Sequence, residues 1–468
     1  MSAPDLTAEM MEQFRSSGAE NHSTILLGAG ASTTSGLPDW DTFATRLLRQ
    51  SNSVPDDETA NLLLSRQDPL LVVEAARAAA GDKWEQKLRK ALYEGVTQLD
   101  PSPLHLAAVG HLLTGNGDTS LVTLNFDTLL ESAICEEEAS SAPVSAVDGA
   151  DYGQQRVVTH LHGVISPTSS VGVILTLNDF TDLIANANSW QYEYLEKAVS
   201  RGALIIAGTS YRDPDVRQWL HLALKGKPKD HAALVLLARQ AFSLSKPQFQ
   251  KTQRALSDQW RAVGLEPVLL QDHADAAQII QELRYVHRED YEAPQERASQ
   301  IWAAHATNFA TLQETYVEEL NKNSTDLRDV LDVDRLNVSL WIADGVGKLT
   351  RWAAQDRLYR DLATLRTVDT GHDSPWIAGQ SLGSDTLLFK NLETENTRQW
   401  KSVLALPIPV PHPTMPTLSA AVLTIGLPLA AEKFESSKFL WGEKLMEIAD
   451  DWGDQLSAVA FPASGRTL

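Results

Sequence analysis

The sequence predicts an α/β protein: a Rossmann-like parallel sheet with a helical insert, followed by a smaller α+β domain. Three observations carry this reading. Short apolar runs recur between residues 25 and 270, and most end in glycine or polar residues just before a helical pattern. Directly after the first run, Ile25-Leu26-Leu27, stand Gly28-Ala29-Gly30-Ala31-Ser32. Glycines at the end of a parallel strand let a backbone approach a phosphate closely. Beyond residue 336 the apolar segments alternate and return across glycine turns, the mark of antiparallel strands.

Composition bounds the class. With 468 residues and 43% hydrophobic content, the chain can build two or three ordinary cores. A net charge of -21 excludes an extended nucleic-acid surface, which needs clustered Lys and Arg, and disfavours adsorption to anionic membranes. No apolar run approaches the roughly 20 residues of a membrane span, and no signal-peptide pattern opens the chain. The lone cysteine, Cys135, excludes an intrachain disulfide and any multi-cysteine zinc site. A cytoplasmic protein is expected.

Taken in order, Leu6 through Phe14 reads as a short helix beside the first strand. Trp40 to Arg49 places Phe43, Leu47 and Leu48 on one helical face. Residues 60–99 are helical with few β-branched residues, an insert beside the sheet. Another helix runs from Leu104 to Leu113 and ends at Gly115-Asn116-Gly117. The strand ending in Thr123-Leu124-Asn125-Phe126-Asp127 then presents polar groups where open α/β sheets hold ligands, although Asn and Asp are equally common helix caps. The segment Arg156–Ile165 reads as a strand carrying His160 and His162. At i and i+2 these share a face, which raises a metal pair; no third ligand is spaced to complete it, and no metal is expected. The element Thr176-Leu177-Asn178-Asp179-Phe180 and an aromatic helix carrying Trp190, Tyr192 and Tyr194 follow. A strand ending in Gly208-Thr209-Ser210 suits phosphate or ribose contacts. Strands at Ala233–Leu237 and Glu266–Leu270 and a helix from Ala274 complete the sheet.

Four of these segments together resemble the sirtuin family. The family has a GAG-x-S loop followed by Ser-Gly-Leu-Pro and an aromatic residue, matched at Gly28–Ser32 and Ser35–Trp40. Thr123-Leu124-Asn125-Phe126-Asp127 resembles the second motif of bacterial sirtuin-like proteins, Leu161-His162-Gly163 the His-Gly motif, and Gly208-Thr209-Ser210 the Gly-Thr-Ser motif. The resemblance covers residues 20–285. It implies NAD as substrate, with Asn125 orienting ribose and water and His162 as general base; His160 is the second candidate. It assigns Gly28, Ala29, Gly30, Ser32, Asp39, Trp40, Asp127, Gly208, Thr209 and Ser210 to NAD binding. A plain Gly-x-Gly turn lacks the third glycine of a dinucleotide fingerprint, so the loop alone would not carry this. The chain departs from the deacylase branch, whose four-cysteine zinc module it cannot build, and Trp40-Asp41 replaces that branch's Phe-Arg.

Residues 287–297, HREDYEAPQER, read as a linker between a catalytic domain at 1–287 and a second domain at 288–468. Beyond it, Trp302, Ala306, Phe309, Leu312 and Tyr316 predict one long amphipathic helix. A hairpin around Gly345 and Gly347, a glycine element at Ile377–Gly379, two more strands and a terminal helix with Phe439, Leu445, Ile448 and Trp452 facing the core complete it. This order resembles a GAF-type sensor domain; a plain α+β oligomerisation domain fits equally, and a SLOG-type nucleotide domain fits less well. The resemblance to sirtuin-like proteins implies an NAD⁺ glycohydrolase of the antiviral-defence type, a homo-oligomer held off until a partner protein or small-molecule trigger acts. A zinc-free deacylase or ADP-ribosyltransferase, or a non-catalytic NAD or ADP-ribose sensor, are the alternatives.

Overall fold

The computed structural model of the protein describes residues 22–96, 99–114, 118–138, 142–150, 152, 156–186, 189–209, 214–225, 233–392 and 399–462. The helix expected over Leu6–Phe14, the Gly115–Gly117 turn and Ser210 lie outside the described residues. The chain divides into two compact units, one ending at Ile280 and one starting at Gln281.

In the first unit, β1 (Ser23–Leu27) is buried along its length and runs into α1 (Ala29–Thr33). The insert consists of α2 (Trp40–Gln50), α3 (Asp57–Leu64), α4 (Pro69–Ala80) and α5 (Trp84–Leu92). Three of these helices start on an aspartate cap, Asp39, Asp56 and Asp68, each accepting a backbone N–H of its first turn. Their apolar faces meet in a core containing Phe43, Leu47, Val73, Leu88 and Leu129. Next come α6 (Pro103–Thr114), β2 (Thr119–Thr123), α7 (Leu129–Glu137), β3 (Val144–Ala146) and β4 (Val157–His160). A short hairpin, β5 (Val164–Ile165) and β6 (Ser170–Val171), precedes α8 (Leu177–Ala185) and α9 (Trp190–Arg201). The unit continues with β7 (Ala203–Ala207), α10 (Pro214–Leu224), β8 (Ala233–Ala238), α11 (Lys246–Arg261), β9 (Glu266–Leu270) and α12 (His273–Glu282), whose last two residues belong to the second unit.

The seven strands pair in parallel in the order β3-β4-β2-β1-β7-β8-β9. Leu26 sits between Val122 and Ile206 in register. The direction of winding reverses between β1 and β7, which opens a crevice at the carboxyl ends of those strands. Gly28, Asn125 and Gly208, from three of the strand-end motifs singled out in the sequence, meet at that edge.

The second unit is α+β. After α13 (Pro294–Thr307) and α14 (Phe309–Leu331), an antiparallel sheet forms in the order β12-β11-β10-β15-β14-β13. Its strands are β10 (Asn337–Ala343), β11 (Lys348–Ala354), β12 (Thr367–Asp369), β13 (Leu388–Asn391), β14 (Ser402–Val410) and β15 (Leu418–Leu427). The helix α15 (Ile377–Ser384) holds the glycine element, and α16 (Lys438–Ala460) closes the unit.

Three expectations change here. The long helix is two helices, broken at Asn308, whose side-chain amide bonds the Ala304 carbonyl at 2.9 Å and competes with the helical ladder. Phe309 then docks edge-on against Trp352. Residues 287–297 run as turns to Tyr291 and enter α13 at Pro294, with Arg297 buried. Phe439 does not face the core: it is 82% exposed. The buried face of α16 is Trp441, Leu445, Ile448, Trp452 and Leu456, spaced at i, i+4, i+7 and onward; position 439 falls on the opposite side. Among the described residues no helix is long and apolar enough to cross a membrane.

Candidate active site

The site is built where β1, β2 and β4 end. Asn125 sits two residues beyond β2, its backbone N–H donating to the Thr123 hydroxyl at 2.9 Å. Its side-chain amide donates to the Gly28 carbonyl at 3.0 Å and to the Ser32 hydroxyl at 2.8 Å. Only the amide nitrogen can satisfy a carbonyl, so the orientation of the Asn125 amide is determined. Ser32 in turn donates to Asp127 Oδ2 at 2.7 Å, and Asp127 Oδ1 accepts the Leu129 N–H at 3.1 Å. All three side chains are buried. The result is a relay, Asn125–Ser32–Asp127, that locks the loop after β1 to the loop after β2.

The glycine loop is tied down differently from a simple phosphate cradle. Gly28 and Gly30 donate their N–H groups to the carbonyls of Ala207 and Gly208, at 2.9 and 2.7 Å, and Ala31 donates to Gly28. These bonds stitch β1 to the end of β7, so Gly28 and Gly30 contribute close approach through their missing side chains. A Cβ at Gly30 would stand 2.5 Å from His273 Cε1 and 2.9 Å from the Gly208 carbonyl oxygen, distances real Cβ atoms do not show. Thr209 is buried beside Gly28.

His160 and His162 do not share a face. The strand stops at His160, and Gly163 turns the chain at φ +85°. His160 is fully buried, with Nδ1 on the Asn125 carbonyl at 3.1 Å and Nε2 on Glu131 Oε1 at 2.8 Å. Burial opposes the charged ring, but the Glu131 carboxylate beside it raises the His160 pKa above its ordinary value. Both nitrogens are occupied, and the ring buttresses Asn125. Ser145 also donates to Glu131. His162 lies between Phe180, edge-on at 5.5 Å, and Trp219 at 6.1 Å. Its loop is carried by bonds from Leu161 N–H to the Thr123 carbonyl and from Ile174 N–H to the His162 carbonyl, both 3.0 Å.

The structure therefore joins Gly28, Ser32, Asn125 and Asp127 directly and sets Gly30, Gly208 and Thr209 against them. Asp39 and Trp40 are a step removed. Asp39 caps α2 through the Thr42 N–H at 2.8 Å, and Trp40 packs on Phe43, which packs on Phe126 beside Asn125. Sequence reasoning missed Thr123, Glu131 and His273. His273 was detectable, since Gln271-Asp272-His273 is a polar cluster directly after β9, the signal used at the other strand ends.

Next to His273, Asp275 is buried and accepts the N–H groups of Gln271 and Asp272, each at 3.0 Å. Burial and the neighbouring Asp272 push its carboxyl up to about 7. A carboxyl raised in the folded state favours the protonated form, so its stabilising contribution is present below about pH 4 and lost as pH rises through 7. Chemical denaturation at a series of pH values should show stability of the first unit falling across that window. Asp275→Asn should flatten the slope. Among the described residues no cluster of three or more His, Cys, Asp or Glu side chains is arranged to hold a metal.

Residues 119–268, from β2 into β9, match the family model described as a SIR2-like domain. That stretch is similar to SIR2-like domains. Among solved structures, Sir2Tm bound to a propionylated peptide aligns at 15% identity, covering 59% of this chain and 99% of that one, with a TM-score of 0.30. A GAF sensor protein from Burkholderia vietnamiensis aligns at 14% identity, covering 35% of this chain and 94% of that one, with a TM-score of 0.22. No curated protein matches.

Proposed function

We propose that this chain, with its SIR2-like domain, hydrolyses NAD⁺ to nicotinamide and ADP-ribose. The observation that supports it most is the Asn125–Ser32–Asp127 relay at the crevice, which fixes the Asn125 amide. Water adds to the ribose C1′ while the C1′–N bond breaks, its electron pair leaving with nicotinamide. The anomeric carbon gains positive character on the way, and a fixed carbonyl dipole such as Asn125 Oδ1 lowers that barrier without reorganising. His162 takes the proton from water; an imidazole titrates near neutral pH and is suited to this work. Gly28, Ala29, Gly30, Ser32, Gly208, Thr209 and Ser210 bind the phosphates and ribose, with Asp39 and Trp40 on the nicotinamide side.

The test is direct. Purified protein incubated with NAD⁺, alone or with an acetylated peptide, should release nicotinamide and free ADP-ribose in equal amounts. Acetyl transfer to ADP-ribose, or ADP-ribosylated protein in place of free ADP-ribose, would reassign the acceptor. NAD⁺ binding without turnover would make the chain a sensor. Chelators should leave folding and turnover unchanged; stoichiometric zinc in the purified protein would sink the metal-free reading.

Unchecked hydrolysis of NAD⁺ would harm the cell that makes the enzyme. We therefore assign the unit beginning at Gln281 to control and assembly, in a homo-oligomer that serves antiviral defence. In cells, NAD⁺ should stay normal until a trigger or partner is coexpressed. Equal basal toxicity with and without that unit would show it to be neither switch nor scaffold.

A further inference from the structure

Away from the crevice, a groove of about 660 Å³ runs along α9 on the flank of the sheet formed by β1, β2 and β4. Gly28, Asn125 and His162 are absent from its lining, so it is a separate space. Its volume suits a small-molecule ligand. The floor carries hydroxyls. Thr24 and Ser120 are register partners on adjacent strands, and Thr159 lies on the next strand. Two residues further along, the same face is closed by Leu26 and Val122 packing with Leu195 and Val199 of α9. The polar floor is thus a local break in an otherwise apolar layer.

Thr24 is fully buried, yet its hydroxyl has no hydrogen-bond partner among the described residues. Buried hydroxyls are nearly always bonded, so a partner is expected from the groove itself. The wall is just as specific. Trp190, Tyr194, Lys197 and Arg201 recur at i, i+4, i+7 and i+11 on one face of α9 and all line the groove. One end of the wall is aromatic and the other cationic. Neither Lys197 nor Arg201 forms an ion pair among the described residues. The rim also carries two acids, Glu193 and Asp148, the latter accepting the Tyr152 hydroxyl at 2.8 Å and the Ala150 N–H. Across the groove, Arg156 is held by Glu138 at 2.8 Å, and His22 bonds Ser120 at 3.1 Å.

We propose that this groove binds a nucleoside monophosphate. Its base stacks at the Trp190–Tyr194 end, its phosphate meets Lys197 and Arg201, and its ribose hydroxyls lie over Thr24 and Ser120. The assignment follows from the order of chemistry along one helix face: planar apolar surface, then hydroxyls below, then positive charge. None of these residues belongs to the proposed catalytic set, so failure here leaves the NAD⁺ reading standing.

Calorimetric titration of AMP into the full chain, with inorganic phosphate as comparison, tests the idea. AMP should bind, and bind more tightly than phosphate. The double variant Lys197→Glu/Arg201→Glu, at exposed positions, should weaken AMP by about tenfold or more with an unchanged circular dichroism spectrum. Thr24→Val, which keeps the shape and removes the hydroxyl, should weaken it by roughly threefold to tenfold. No AMP binding at millimolar concentration overturns the proposal. Undiminished binding by the double variant also overturns it, since the ligand would sit elsewhere. Phosphate binding as tight as AMP overturns the nucleotide assignment.

Discussion

Asn125→Ala and His162→Ala should each lower NAD⁺ turnover by about a hundredfold to ten-thousandfold, the range expected for a lost general base or a lost preorganised dipole. Groups acting as a unit are not additive, so the double variant should be little worse than either single one. The two differ in a second readout. Asn125→Ala also removes the bonds to Gly28 and Ser32, and should lower thermal stability. His160→Ala is the control that separates chemistry from support: it strands the buried Glu131 carboxylate and should cost stability first. Near wild-type turnover in His162→Ala, with loss confined to a stably folded His160→Ala, would exchange the roles of the two histidines.

The largest stability effect is expected at a buried ion pair in the second unit. The side chains of Glu282 and Arg297 are 0% and 1% exposed, and Arg297 also donates to the Pro416 carbonyl. Burial, reinforced by the Glu282 carboxylate, pushes the Tyr291 hydroxyl well above its ordinary value. Taking away one partner leaves an uncompensated charge in a dry interior, so Arg297→Met should destabilise this unit by about 3–5 kcal/mol. A paired replacement, Glu282→Leu with Arg297→Met, should recover most of that loss. Urea denaturation of the four proteins gives the coupling directly. Additive losses in the double variant would mean that the pair is not coupled. Because Pro416 precedes β15, the same arginine ties the start of α13 to the antiparallel sheet.

The sequence by itself determined the layers and the edge on which chemistry gathers. Apolar runs such as Ala233–Ala238 are buried at every position, as a strand covered on both faces must be, and no other element suits so short a run flanked by polar residues. The position of Asn125 past β2 followed from local rules that need no tertiary information. Helix phase was legible at Leu445, Ile448 and Trp452, and a strict count of the same spacing would have replaced Phe439 with Trp441.

What only the tertiary structure decided is which polar groups meet. The Ser32–Asp127 bond joins residues 95 positions apart, and nothing in either segment specifies the partner. The same holds for His273 over Gly30, which depends on β9 and β1 lying in one sheet with two strands between them. Strand periodicity put His160 and His162 on one face, but the strand ends at His160 and a positive-φ glycine sends the two rings to different neighbours. Local sequence sets backbone preference over a few residues. Side-chain pairing across the crevice is set by strand order and register, which are properties of the whole sheet.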